Sequence, residues 1–205
     1  MVTTENILSS SSIIHLGSYA LLFTWFFLWL TQTWLKSRQS RVAALAVIFI
    51  CAFIPLNGTT SIEYLRGVFG NLSMITSILL AEKLYRIIMP NTLTAFKDRY
   101  TLNYLIVLAG LLLYPFNLGL TLYDPYQYGY HPLFFGLVLL GIALLSWWKT
   151  KYFTLIVLLF AVGCYSFSLG ESKNLWDYLI DPLLFLYTFF WCTLQLLKKL
   201  VYASR

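Results

Sequence analysis

Basic residues fall on alternate sides of a series of apolar runs, and that alternation constrains this chain more than any motif in it. The runs cover 13–35, 42–56, 65–84, 102–122, 133–148, 152–169 and 175–201. The linkers after the first, third, fifth and seventh hold Lys36, Arg38 and Arg41; Lys83, Arg86, Lys97 and Arg99; Lys149 and Lys151; and Lys198, Lys199 and Arg205. These are twelve of the fourteen Lys and Arg, and only Arg66 and Lys173 lie on the other side. The acids divide the opposite way, with Glu5, Glu63, Asp124, Glu171, Asp177 and Asp181 set against Glu82 and Asp98. Cytoplasmic loops collect Lys and Arg. The pattern therefore predicts seven spans, with the N-terminus outside and the C-terminus cytoplasmic. A missing or extra span would scramble the alternation from that point onward.

Composition points the same way. The chain is 11% charged and 60% hydrophobic, whereas soluble domains are about 25% charged and about 45–50% apolar. The expected fold is all-α, a polytopic bundle of about seven transmembrane helices forming a single domain over residues 1–205. The second and fifth runs are short for a hydrocarbon core that needs about 20 helical residues. Alternating strands are not visible, which argues against a β-barrel. Trp34, Trp147, Trp148, Tyr152 and Tyr202 fall near the inner boundary, where amphipathic rings favour the interface. The net charge of +6 belongs to this topology, so no nucleic-acid partner is expected. The N-terminal MVTTENILSSSS lacks the basic region of a signal peptide, and the first run reads as a retained helix. The linker 85–101, with Pro90, reads as lying on the inner surface.

Within the bundle, Gly67, Gly70, Ser73, Ser77 and Ala81 form a small-residue stripe at helical spacing, which predicts a central, closely packed third helix. Asn71 beside it requires a partner. Runs one and seven, rich in Phe, Trp and Leu, read as lipid-facing. No charge lies near the middle of a run, which argues against a proton-coupled carrier. Cys51, Cys164 and Cys192 sit in apolar segments without CxxC spacing, so they read as buried small hydrophobes. No metal or cofactor is expected.

The outer linkers carry what chemistry there is. Each brings an acid followed by a tyrosine: Glu63-Tyr64, Asp124-Pro125-Tyr126 and Asp177-Tyr178. IEYLR and WDYLI, each behind a glycine-containing turn, suggest a faint duplication. Glu63 and Arg66 share a helix face and predict an ion pair; Arg66 could equally hold an anion in its fork. The candidates for acid–base chemistry are Glu63, Asp124, His131 and Asp177. Those for ligand binding are Arg66, Tyr64, Tyr126, Tyr178 and Asp181. Against this, outer loops opposite basic inner ones are expected to be acidic, and His131 before Pro132 reads first as a solvated helix start. Asp181-Pro182 reads as a structural stop whose carboxylate needs a partner. The sequons at Asn57 and Asn71 lie at the membrane boundary and are discounted. GxSxG, HExxH and P-loop signatures are absent.

Three functions follow as expectations. The first is a membrane subunit or scaffold of a prokaryotic inner membrane, binding a partner membrane or envelope protein, or lipid, through its helices and acidic, aromatic rim. The second is an outward-facing enzyme or binder for a lipid-linked or sugar head group. The third is a small-solute transporter. They differ in one geometric respect: whether the outer loops meet around one cavity.

Overall fold

The computed structural model describes residues 10–56, 58–89, 99–117 and 123–203. The all-α expectation holds. The described chain runs through α1 (Ser10–Thr31), α2 (Arg38–Cys51), a two-residue hairpin β1 (Pro55–Leu56) and β2 (Thr59–Thr60), α3 (Ser61–Phe69) and α4 (Met74–Ile88). It continues through α5 (Arg99–Asn117), a 3₁₀ turn (Pro125–Tyr130), α6 (Pro132–Trp148), α7 (Tyr152–Ser166), α8 (Trp176–Leu179) and α9 (Pro182–Ala203). Three of these helices are long and apolar enough to cross a membrane, over Ser12–Thr31, Arg99–Asn117 and Pro182–Tyr202. The sequons' Asn57, the inner linker's Pro90, Lys97 and Asp98, and the end of the fourth run at 118–122 lie outside the described residues.

Two expected helices are broken. The third run divides into α3 and α4 because Gly70 takes a left-handed φ of 75°, where glycine meets no Cβ penalty. Ser73 then restarts the helix, its hydroxyl accepting from the Thr76 N–H, a side-chain N-cap. The small-residue stripe is therefore not one face of one helix. Gly67, Gly70 and Ala81 are exposed, whereas Ser73 is fully buried and Ser77 packs on α1, bonding Ser18 at 2.7 Å. The last run breaks at Ile180, whose backbone is extended (φ −143°, ψ 142°). Pro182 opens α9, a position where its missing N–H costs nothing. Both broken segments thus have the same layout: a short helix carrying IEYLR or WDYL, an unwound turn and a longer helix.

α4 is central, packing on α1, α2, α7 and α8. One apolar core joins Ile75 and Leu79 of α4 to Leu102 and Ile106 of α5 and Val157 and Ala161 of α7. A second cluster gathers Tyr19 and Ala20 of α1 with Ile62 of α3 and Leu72. α1 is not wholly lipid-facing, as its Ser18, Tyr19, Ala20 and Thr24 are buried. Gly110 lets α5 approach α9 so closely that a Cβ there would overlap the Phe185 ring. Cys164 is buried as expected, but Cys51 is exposed on α2, a helix with no buried residue. Arg41 closes the basic end of the bundle by donating to the carbonyls of Leu35 (2.9 Å) and Ile87 (3.0 Å). The Ile87 carbonyl, in the last turn of α4, is one of the terminal acceptors that helices leave unpaired.

Candidate functional site: a cavity where the broken segments meet

Asp181 joins the two breaks. Its Oδ1 accepts from the Leu184 N–H at 2.9 Å, which caps α9. Its Oδ2 accepts from the Ser73 N–H at 3.0 Å and from the Thr76 hydroxyl, both in the first turn of α4. The carboxylate is almost completely buried, at 3% exposure. Two helix N-termini therefore point their free N–H groups at one acid, an arrangement that favours negative charge. The partner that the sequence demanded for Asp181 is this pair of helix starts.

Above Asp181 lies a cavity of about 430 Å³, lined among others by His15, Tyr114, Tyr126, Glu171, Asp177 and Tyr178. The loop between α7 and α8 builds much of its wall. Asn174, fully buried, accepts from the Trp176 N–H and donates to the Tyr126 carbonyl. Trp176 donates through its indole to the Pro125 carbonyl at 3.1 Å, and the Leu175 N–H reaches the Gly129 carbonyl at 3.0 Å. Gly129 is required there, since a Cβ would overlap the Asn174 side chain. The 3₁₀ turn is thereby tied to the loop between α7 and α8 and the start of α8 through its own backbone.

Asp177 completes that junction. Both of its oxygens accept from the Tyr126 hydroxyl, at 3.0 and 2.8 Å, and Oδ2 also accepts from Ser172 at 2.5 Å. Burial, followed by the bond to Asp177, pushes the Tyr126 phenol above its ordinary pKa, so it serves as a donor. The Tyr178 hydroxyl donates to the Ser172 carbonyl and accepts from the Gly170 N–H.

Arg66 does not pair with Glu63. A capping box holds Glu63: its carboxylate accepts from the Thr60 N–H and hydroxyl while the Thr60 hydroxyl accepts from the Glu63 N–H. Those bonds from Thr60 hold the Glu63 carboxyl below its usual range. Arg66 instead reaches Glu171 at 2.6 Å and Asn71 at 2.9 Å. Asn71 and Ser12 also donate to Glu171, at 3.1 and 3.0 Å. Burial would raise the Glu171 carboxyl, but the bonds from Arg66, Asn71 and Ser12 prevail and hold it at about 2. Asn71, which required a partner, finds it here.

The sequence candidates thus separate. Asp177, Asp181, Tyr126 and Tyr178 line the cavity, and Arg66 stands behind Glu171. Glu63 and Tyr64 are exposed on α3. Asp124 is exposed and caps the 3₁₀ turn through the Tyr126 N–H at 2.9 Å. His131 is exposed between that turn and α6 and makes no side-chain cap. His15, Tyr114 and Asn117 were not singled out from sequence. His15 is buried in α1, where its Nε2 accepts from the Glu171 N–H at 3.4 Å. Its Nδ1 has no partner of normal hydrogen-bond geometry, with the Leu72 backbone close by. A lone histidine early in an apolar run was the available signal.

Among the described residues, Asp181 and Glu171 each accept from three donors, and Asp177 from two, Tyr126 and Ser172. A carboxylate has about four acceptor sites, so each keeps about one or two for a ligand. Such groups position donors well but are poorly placed to shuttle protons. The Tyr114 hydroxyl makes no hydrogen bond to a described residue, and its ring stacks on Phe185 with centroids 5.0 Å apart. No cluster of three or more metal-ligating side chains occurs among the described residues. Compared with protein-family models, characterised proteins and solved structures, the chain matches none of them.

Proposed function

We propose that the chain is a multi-pass protein of a prokaryotic inner membrane. In this reading it crosses seven times, with its third and seventh crossings broken, and its outward cavity binds a hydroxyl-rich or sugar head group, free or lipid-linked. The charge alternation of the linkers supports the topology, as does the strong exposure of Trp34, Trp147, Trp148 and Tyr202 at the basic ends of the helices. One observation carries the binding role: three carboxylates and three tyrosines from separate elements converge on one cavity of about 430 Å³, within the usual range for ligand sites. Residual carboxylate acceptors call for hydroxyl donors, and tyrosine faces suit sugar rings.

The test is thermal stabilisation of the purified protein by soluble monosaccharides and by lipid-linked sugars, with Tyr114→Ala as the variant. Stabilisation by one sugar class that disappears in Tyr114→Ala supports the reading. If no sugar stabilises the protein and a membrane or envelope partner co-purifies, the scaffold function replaces it. Reporter fusions at Arg205 and in the 170–174 loop test the topology separately.

A second reading has its own observation. Broken membrane helices meeting at a buried charge are a common way for transporters to build a substrate site, and Asp181 sits at such a meeting point. Substrate-dependent flux in proteoliposomes would favour it.

A further inference from the structure

A second cavity, of about 480 Å³, lies below the junction, bounded by α1, α3, α4, α5 and α9. Thr76, which lines it, is bonded to Asp181, which lines the first cavity, so that contact stands between the two. From Thr76 the groove follows α4 to Lys83, about 10 Å along the helix axis. Its walls are apolar for most of that length, with Leu22, Phe26, Phe69, Leu80 and Leu183 among them.

Its far end is different. Lys83, Arg99 and Asn103 line it together. The Lys83 ammonium lies 3.8 Å from the centroid of the Tyr187 ring and 4.4 Å from that of Trp25, and it enters no salt bridge among the described residues. Glu82, the acid beside it, is bound by Arg86 and by Arg99 at 3.1 Å. Among the described residues at this end, Lys83, Arg86 and Arg99 stand against one acid, Glu82, an excess of two positive charges. Asn103 is buried, at 5% exposure, yet its side chain makes no hydrogen bond to a described residue. An apolar channel that ends in an ammonium without a salt bridge, a guanidinium that shares its acid, and an amide without a described partner is complementary to a chain-bearing anion.

We propose that this groove holds an acyl chain of an anionic phospholipid of the inner leaflet, with its phosphate against Lys83, Arg99 and Asn103. The proposal rests on the membrane topology above but not on the outer cavity, so loss of sugar binding leaves it standing. Lipid of this kind would fix α1, α4, α5 and α9 together at the end where the Asp181 contact does not reach.

Native mass spectrometry of the detergent-purified full chain, titrated with phosphatidylglycerol or with phosphatidylcholine of the same chains, provides the test. The wild type should retain phosphatidylglycerol preferentially. Lys83→Gln should lower that preference about fivefold, the effect of one basic residue at an anionic surface, and Lys83→Arg should restore it. Leu22→Trp, which fills the apolar part, should reduce retention of both lipids. Unchanged phosphatidylglycerol preference in Lys83→Gln would overturn the proposal. Thermal stabilisation by inorganic phosphate equal to that by the lipid would do the same, since a bare phosphate site needs no groove. If Lys83→Gln does not fold, Asn103→Leu provides the same comparison without altering charge, with weaker retention expected.

Discussion

Removing the Asp181 carboxylate should loosen both broken segments at once. In Asp181→Ala, the N–H groups of Ser73 and Leu184 lose their acceptor in a site that is almost fully buried. The Thr76 hydroxyl is not stranded, because Ser73 Oγ lies 3.0 Å away and can accept from it. Two buried donors without partners cost about 1–3 kcal/mol each, so the loss should be about 2–6 kcal/mol. Asp181→Asn separates the contributions. Its one carbonyl can serve either Ser73 or Leu184, and its amide must then face the other N–H, so it should lose roughly half as much. Asp124→Ala, which removes the exposed cap of the 3₁₀ turn, is the control and should cost no more than about 1 kcal/mol. Equilibrium unfolding in mixed micelles provides the measurement. An Asp181→Ala variant that loses less than about 1 kcal/mol, or an Asn variant as stable as the wild type, would refute the idea that this acid joins two helix starts.

Other perturbations follow from the same geometry. Glu171 is held at about 2 instead of the ordinary 4.5, so its stabilisation is complete above the ordinary value and lost as pH falls towards the lower one. Glu171→Gln should therefore be less stable than the wild type by about 1 kcal/mol near neutral pH, a figure kept small by solvent screening. The gap should close as acid titration passes from 4.5 towards 2. Gly129→Ala should cost about 1–3 kcal/mol by overpacking against Asn174, read as a lowered melting temperature with helix content unchanged. Tyr126→Phe removes a charge-assisted bond to Asp177 and should cost about 1.5–3 kcal/mol. Limited proteolysis should then cut faster within the 170–175 loop, whose Ser172 shares that carboxylate.

Much of the fold was legible because burial in lipid and burial in protein demand the same residues. That same equivalence hid the breaks. Hydropathy reads straight through GVFGNLSMIT, since Leu72 and Met74 keep the average high while Gly70 and Ser73 change the backbone. Local capping signals did carry the information: Thr60 stands three residues before Glu63, and Ser73 three before Thr76, the spacing of side-chain caps. Asp181-Pro182 was readable as a stop because both residues act locally. The pairing of Arg66 with Glu171 was not readable, as the two are 105 residues apart and Glu63 lies at a closer and equally plausible spacing. Charge and spacing alone could not show that Thr60 had already engaged Glu63. His15, Tyr114 and Asn117 lie in apolar runs where only three-dimensional convergence sets them apart from packing.

The Asp181 junction also has a consequence for the order in which the chain is made. Ser73 precedes its acceptor by 108 residues, and Ser12 precedes Glu171 by 159. At translation rates of 5–20 residues per second, the start of α4 waits roughly 5–20 s for its carboxylate. During that interval the unpaired N–H groups in the first turn of α4 must find other partners. A chain stalled before Glu171 would carry α1 to α7 with their polar junctions open. Arrival of α8 and the start of α9 is thus the event that closes the junction, and a folding probe at Ser73 should report it only once Asp181 has been made.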